Sequence, residues 1–229
     1  MSEDTGGMSL ADTRRQVLAL SATVGIVLIA IVMIAVYGMY RLDSAVSATQ
    51  TELDRLTTLA DDARIAQVTF KTQIQEWKNT LLRGYKAEDY AAYHSAFLTR
   101  RAEVHKRLDD LETAAKELDF PTADLAALQT HHDDLDAAYD EALKLFRAED
   151  PLSIRAVDQY VRGKDRPLNE AFDKVVAQAQ AFADDRRNLL HQRIAEVSRS
   201  VQRTLWISLA IGFAFLFLAV FMAMRAIRK

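Results

Sequence analysis

A chain of 229 residues leaves room for one ordinary domain plus accessories. It contains no cysteine, which excludes disulfides, zinc–thiolate sites, c-type haem attachment and thiol catalysis. The formal charge of −3 is unevenly spread: residues 41–203 carry 29 acidic side chains against 24 Lys and Arg, and an acidic globular part argues against a nucleic-acid partner.

A short tail, residues 1–15, leads into the first apolar segment. Residues 16–40 hold no charge and are bracketed by Arg15 and Arg41. A helix needs about 20 mostly apolar residues to cross the hydrocarbon layer, so this segment spans it with some tilt. Its apolar run is also longer than the roughly 7–15 residues of a signal-peptide core. Beyond Tyr40 a heptad register continues. Val46, Leu53, Ala60, Gln67, Ile74 and Leu81 hold one position, and Thr49, Leu56, Ala63, Phe70, Trp77 and Gly84 lie three residues on. Most of these are apolar, as in a helix buried against partner helices. Neither proline nor glycine falls between Tyr40 and Gly84, so the membrane anchor is predicted to run unbroken into the longest helix of a bundle.

Gly84, Pro121, Pro151, Gly163 and Pro167 cut the remainder into helical pieces with no strand-like alternation. The second helix is predicted over residues 87–118, with Tyr90, Phe97, Val104, Leu111 and Leu118 at every seventh position. The third covers residues 122–148 on Leu125, Leu128, His132, Leu135, Tyr139, Ala142 and Phe146. A short fourth starts at Asp150-Pro151, an N-cap followed by proline at the first helical position, and stops at Gly163. The last begins near Pro167, carries Phe172, Val175, Ala179, Phe182, Leu190, Ile194, Val197 and Val201, and enters a second uncharged segment, residues 204–224, before the tail at 225–229. The fold class is therefore all-α: an antiparallel four-helix bundle, residues 41–203, anchored by two transmembrane helices in membrane lipid. At 1.5 Å per residue the first helix reaches roughly 65 Å past the membrane and the second covers about 50 Å. The two-helix stalk left over would gain from a second copy, so a homodimer is expected.

Two crossings put both termini on one side. Arg14, Arg15, Arg225, Arg228 and Lys229 cluster there, which places the termini in the cytoplasm. Arg41, Arg199 and Arg203 lie at the opposite ends, although long translocated segments are largely exempt from the charge rule. Tyr37, Tyr40 and Trp206 fall where aromatic anchors sit at the outer interface.

Residues that carry chemistry are sparse. Arg83 and Arg162 each precede a glycine, and the helix directions carry both to the end distant from the membrane. With Arg166 and Lys86 they can form a cationic pocket for a small anionic ligand, with Trp77 nearby. Capping of helix ends accounts for the same arginines. An alternative interface site lies at the seam positions His94, Arg101 and His132, where histidines between helices either ligate a metal or haem or serve as hydrogen-bonded core or dimer-interface residues. The run His131-His132-Asp133-Asp134 reads as a solvated helix face. HExxH, P-loop, dinucleotide and nucleophile-elbow motifs are all missing, so no catalytic residue, metal-ligand set or cofactor is assigned and the chain is not expected to be an enzyme.

Two stretches carry a family resemblance. One runs from Phe70-Lys71-Thr72-Gln73 through Glu76-Trp77-Lys78 to Leu82-Arg83-Gly84. The other is Asp150-Pro151-Leu152-Ser153 followed by Val157-Asp158-Gln159-Tyr160-Val161-Arg162-Gly163-Lys164-Asp165-Arg166-Pro167. Together with the anchor–bundle–anchor order, they resemble the four-helix-bundle sensory domains of bacterial methyl-accepting chemotaxis receptors, modules that also front histidine kinases and diguanylate cyclases. The resemblance implies an inner-membrane protein whose periplasmic bundle senses a small ligand as a dimer and passes a helix displacement to a cytoplasmic or membrane signalling partner. Such receptors continue into a HAMP linker and a methylated cytoplasmic hairpin, whereas Lys229 follows Met224 by five residues. The chain is thus expected to be either a piece of a longer receptor or a module that signals through partner helices. The other functional reading is a membrane-anchored accessory subunit whose bundle docks on another membrane protein.

Overall fold

The computed structural model describes residues 10–227, which form five α-helices and no strand among the described residues. They are α1 (Leu10–Arg83), α2 (Ala87–Glu117), α3 (Ala123–Leu143), α4 (Pro151–Val161) and α5 (Arg166–Ile227). The chain divides into two compact units: Thr51–Leu189, and a second made of Met1–Gln50 with Leu190–Lys229.

In Thr51–Leu189 the helix ends follow local chemistry. A Cβ on Gly84 would lie 2.2 Å from the Thr80 carbonyl oxygen, so only glycine lets α1 stop where it does. Acidic Glu88 and Asp89 open α2 and Lys116 closes it, complementing the helix dipole. The Phe120 N–H then returns to the Ala115 carbonyl at 2.9 Å across Asp119, whose φ is 56°, and Pro121 forbids continuation. α3 ends at Leu143, short of the expected residue 148. Its carbonyls at Glu141, Ala142 and Leu143 are taken by the N–H groups of Lys144, Leu145 and Phe146 three residues on, which tightens and ends the last turn. Phe146 then stacks on Tyr90 at 5.2 Å, and Ser153 Oγ accepts from the Arg147 N–H at 2.9 Å. As expected, the Asp150 side chain caps α4 by accepting from the Leu152 N–H at 2.9 Å, with Pro151 behind it. Gly163 makes the turn into α5 at φ 77°, where a side chain would be strained.

One apolar core gathers side chains from all five helices. On α1 two rows are buried along most of the core, Leu56, Ala63, Phe70 and Trp77, and Leu59, Ala66, Gln73 and Thr80, joined towards the end of the helix by Ile74 and Leu81. The first is a row expected from the heptads. The second lies on its other side from the row expected to accompany it; of that expected row Ile74 and Leu81 are buried in the core, whereas Val46, Leu53, Ala60 and Gln67 are only half-buried. Phe70 stacks on Phe172 of α5 at 5.0 Å, and Trp77 on Tyr139 of α3 at 4.2 Å. Such aromatic pairs add about 0.5–1.5 kcal/mol each beyond their buried area.

Among the described residues the second unit consists of residues 10–50 of α1 and 190–227 of α5. Both helices are long and apolar enough to cross a membrane, with windows of mean hydropathy 2.9 and 2.5. Their large side chains face outward, among them Ile26, Ile29, Met33, Phe213 and Phe217. Where the helices meet, Gly212 faces Ile31 and Gly38 faces Val201; a Cβ at Gly38 would come within 2.9 Å of Val201 Cγ1. Small residues at the contact are how helices associate without a hydrophobic driving force.

A buried charged cluster between three helices

The core of Thr51–Leu189 is interrupted at one level by polar side chains from α1, α2 and α3. Asp136 of α3 is 3 % exposed and sits among donors. Its Oδ1 accepts from Gln73 Nε2 of α1 at 2.8 Å. Its Oδ2 accepts from Arg101 Nε at 2.8 Å and His105 Nε2 at 3.0 Å, both on α2. A buried carboxylate is tolerated because three donors, one of them a guanidinium, reach its two oxygens. Arg101 turns the other edge of its guanidinium to Asp140, with both contacts at 2.9 Å. Burial alone would lower the Arg101 pKa, but the bonds to Asp140 and Asp136 outweigh it and hold the value above the ordinary one.

The network fixes the proton on the neighbouring imidazole. A carboxylate only accepts, so Gln73 must turn its NH2 to Asp136 and its Oε1 to His132 Nε2, 2.8 Å away. His132 therefore carries its proton on Nε2. Its Nδ1 is a bare lone pair 3.6 Å from Asp136 Oδ2, and among the described residues it is the buried side-chain nitrogen or oxygen without a hydrogen-bond partner. His132 is 0 % exposed, and burial pulls its pKa down to about 4 against the opposing attraction of Asp136. The ring is neutral at physiological pH. The His105 ring meets it edge-on at 4.5 Å, and His105 Nδ1 lies 3.6 Å from Asp133 Oδ1. Nearby, burial raises the Tyr139 pKa.

The structure thus brings together Arg101 and His132 of the expected seam site. His94 stands apart, stacked on Tyr90 at 5.3 Å. The distal cations each have a separate local partner or surface position. Arg83 lies over the Tyr93 ring at 5.9 Å, Lys86 over Tyr85 at 5.8 Å, and Arg162 pairs with Asp158 at 2.7 Å, while Arg166 is exposed at the start of α5. Trp77 is buried between Tyr139 and Phe97. Of the run read as a solvated face, His131, Asp133 and Asp134 are exposed, whereas His132 belongs to the core. The sequence reading missed Gln73, His105 and Asp136. Two of them carried a usable signal: His105 lies four residues after Arg101 and Asp136 four after His132, so each shares a helix face with a residue already singled out.

No family model matches the chain, and no solved structure matches it. Among curated proteins, the methyl-accepting chemotaxis protein CtpH of Pseudomonas aeruginosa is 30 % identical over 154 residues, which cover 66 % of this chain and 24 % of that protein. The chain therefore spans about a quarter of its relative's length. This distant, partial similarity supports a chemoreceptor-related family.

Proposed function

We propose that the chain is a transmembrane sensory module of the chemoreceptor type that acts by binding rather than catalysis. In this reading a periplasmic four-helix bundle binds a small ligand, and a displacement of α1 or α5 carries the signal across the bacterial inner membrane. The bundle consists of residues 51–83 of α1, α2, α3 and residues 166–189 of α5, with α4 as a connecting turn of helix. Both termini are cytoplasmic. The observation that carries the proposal is helix continuity: α1 holds Gln73 of the buried cluster and also supplies an uncharged, outward-facing apolar segment without a break in the helix. The half-buried Leu53 and Ala60, beside the exposed Ile65 and Val68, favour a homodimer along α1.

Because the chain has no native cysteine, the proposal can be tested by disulfide trapping. Ile34 and Thr204 line one groove between α1 and α5. The full chain in nanodiscs would be screened against carboxylates, amino acids, inorganic anions and divalent metals by thermal shift, since a ligand of the folded state raises Tm. With any binder found, the cross-linking rate of the Ile34→Cys/Thr204→Cys pair is expected to change severalfold. Rates unaltered by every binder would overturn the sensory reading. Cross-links between copies at Leu53→Cys and Ala60→Cys are expected in membranes, and their absence would remove the dimer.

A further inference from the structure

We propose that His105, His132 and Asp136 form a binding site for a first-row divalent transition metal of the Zn2+ class, held between α2 and α3 and braced by α1. Their ligating atoms all lie within 4.8 Å of one another. Two ligands bound to zinc at about 2.0–2.1 Å in tetrahedral geometry sit roughly 3.3 Å apart. The observed separations from Asp136 Oδ2, 3.0 Å to His105 Nε2 and 3.6 Å to His132 Nδ1, bracket that value.

A free donor points into the site. His132 Nδ1 is the orphaned lone pair described above, and it is already deprotonated because Gln73 holds the proton on the other nitrogen. Partners behind each donor are also in place. Gln73 Oε1 accepts from His132 Nε2, and Gln73 Nε2 donates to Asp136 Oδ1. Asp133 stands behind His105 Nδ1. Binding would require His105 to move its proton from Nε2 to Nδ1, where Asp133 can receive the hydrogen bond, so no net proton is released. Carboxylates and amides behind histidine ligands are the usual way a metal site fixes its tautomers.

Charge favours the same occupant. Asp133, Asp136 and Asp140 oppose the single cation Arg101 across these contacts, and a divalent ion would neutralise the difference. Arg101 contacts Asp136 Oδ2, but its two-pronged bond to Asp140 holds it if the metal takes a share of that oxygen. Two imidazoles and one carboxylate select a borderline ion over Ca2+ or Mg2+, which take oxygen ligands, and no thiolate is present to select Cu(I).

Metal occupancy rests on this geometry alone. Naming the metal as the sensed ligand rests on the sensory reading. The test uses the full chain in nanodiscs, stripped with a chelator and titrated with Co2+ as a visible-absorbing probe and then with Zn2+. One Co2+ per chain with d–d absorption is expected, displaced by Zn2+, with a rise in Tm. His105→Gln changes a side chain that is 43 % exposed and keeps an N–H donor for Asp136, so it should alter the metal-free Tm little while weakening Co2+ binding at least tenfold. His132→Gln should abolish it, and His105→Gln decides alone if that buried variant does not fold. Absent Co2+ uptake, or equal affinity in wild type and His105→Gln, would overturn the site and leave the sensory reading untouched. Zn2+ that binds without altering Ile34→Cys/Thr204→Cys cross-linking would keep the site and remove the metal as a signal.

Discussion

The two compact units solve opposite problems with the same secondary structure. Thr51–Leu189 hides Phe70, Phe97, Phe172 and a ladder of leucines, and turns its charges outward except at one level. The unit built from Met1–Gln50 and Leu190–Lys229 leaves Ile26, Ile29, Met33, Phe213, Phe217 and Met222 exposed and packs through Gly38 and Gly212. In water the first arrangement is stabilised by burying apolar area, and the second would aggregate. In hydrocarbon the second is the stable one, because burial from lipid gives little and close packing decides. The contrast also makes the Gln73–Asp136–Arg101 cluster conspicuous: charge sits in the middle of the one region whose folding depends on an apolar interior.

The comparison can be broken most forcefully at that cluster. Asp136→Leu removes the acceptor shared by Gln73, Arg101 and His105. Breaking a buried ion pair costs about 3–5 kcal/mol, and the lower end is expected because Asp140 still holds Arg101. Chemical denaturation of the full chain in micelles measures it. A comparable loss comes from acid on the metal-free protein. His132 titrates near 4 when folded and near 6.5 when free, so the unfolded chain takes up the proton first and stability falls with decreasing pH between those values. The full shift corresponds to roughly 3 kcal/mol. His132→Gln should flatten that part of the stability–pH curve.

In the apolar pair the sign of the charge experiment reverses. Ile29→Asp introduces a charge where an outward-facing side chain would meet lipid, at about 2.5–3.5 kcal/mol for insertion. The expected readout is a lower membrane-inserted fraction with an unaltered core. The smallest effect belongs to Arg162→Ala. Its pair with Asp158 is solvent-exposed, with the arginine side chain at 72 %, so stability should change by less than about 0.5 kcal/mol. Unaltered ligand binding in that variant would assign Arg162 to the helix end rather than to an anion pocket.

The sequence made helix type and order legible because breakers are few and strong: Gly84, Pro121, Asp150-Pro151 and Gly163 each act through a local backbone rule. The end of α3 was not legible, since Phe146 leaves the helix to stack on Tyr90 of α2, a contact between residues distant in sequence. The buried face of α1 was half legible. A heptad count marks Leu56, Ala63, Phe70 and Trp77, but choosing the accompanying row requires knowing on which side the partner helices lie. That choice hid Gln73, which follows the apolar Leu59 and Ala66 in the same buried row and precedes Thr80. Arg101 and His132 were visible as polar residues at seam positions. What they do was not, because Asp136 and His105 join them only through packing of α2 on α3.

The central claim is that the charged core and the apolar pair occupy different media, with the core translocated and the termini cytoplasmic. Single cysteines at Ala123 and Ser2 of the otherwise cysteine-free chain test it in whole cells with an impermeant thiol reagent. Labelling at Ala123→Cys, with Ser2→Cys labelled only after the membrane is permeabilised, is the result expected. Labelling of Ser2→Cys in intact cells, with Ala123→Cys protected, would contradict the account.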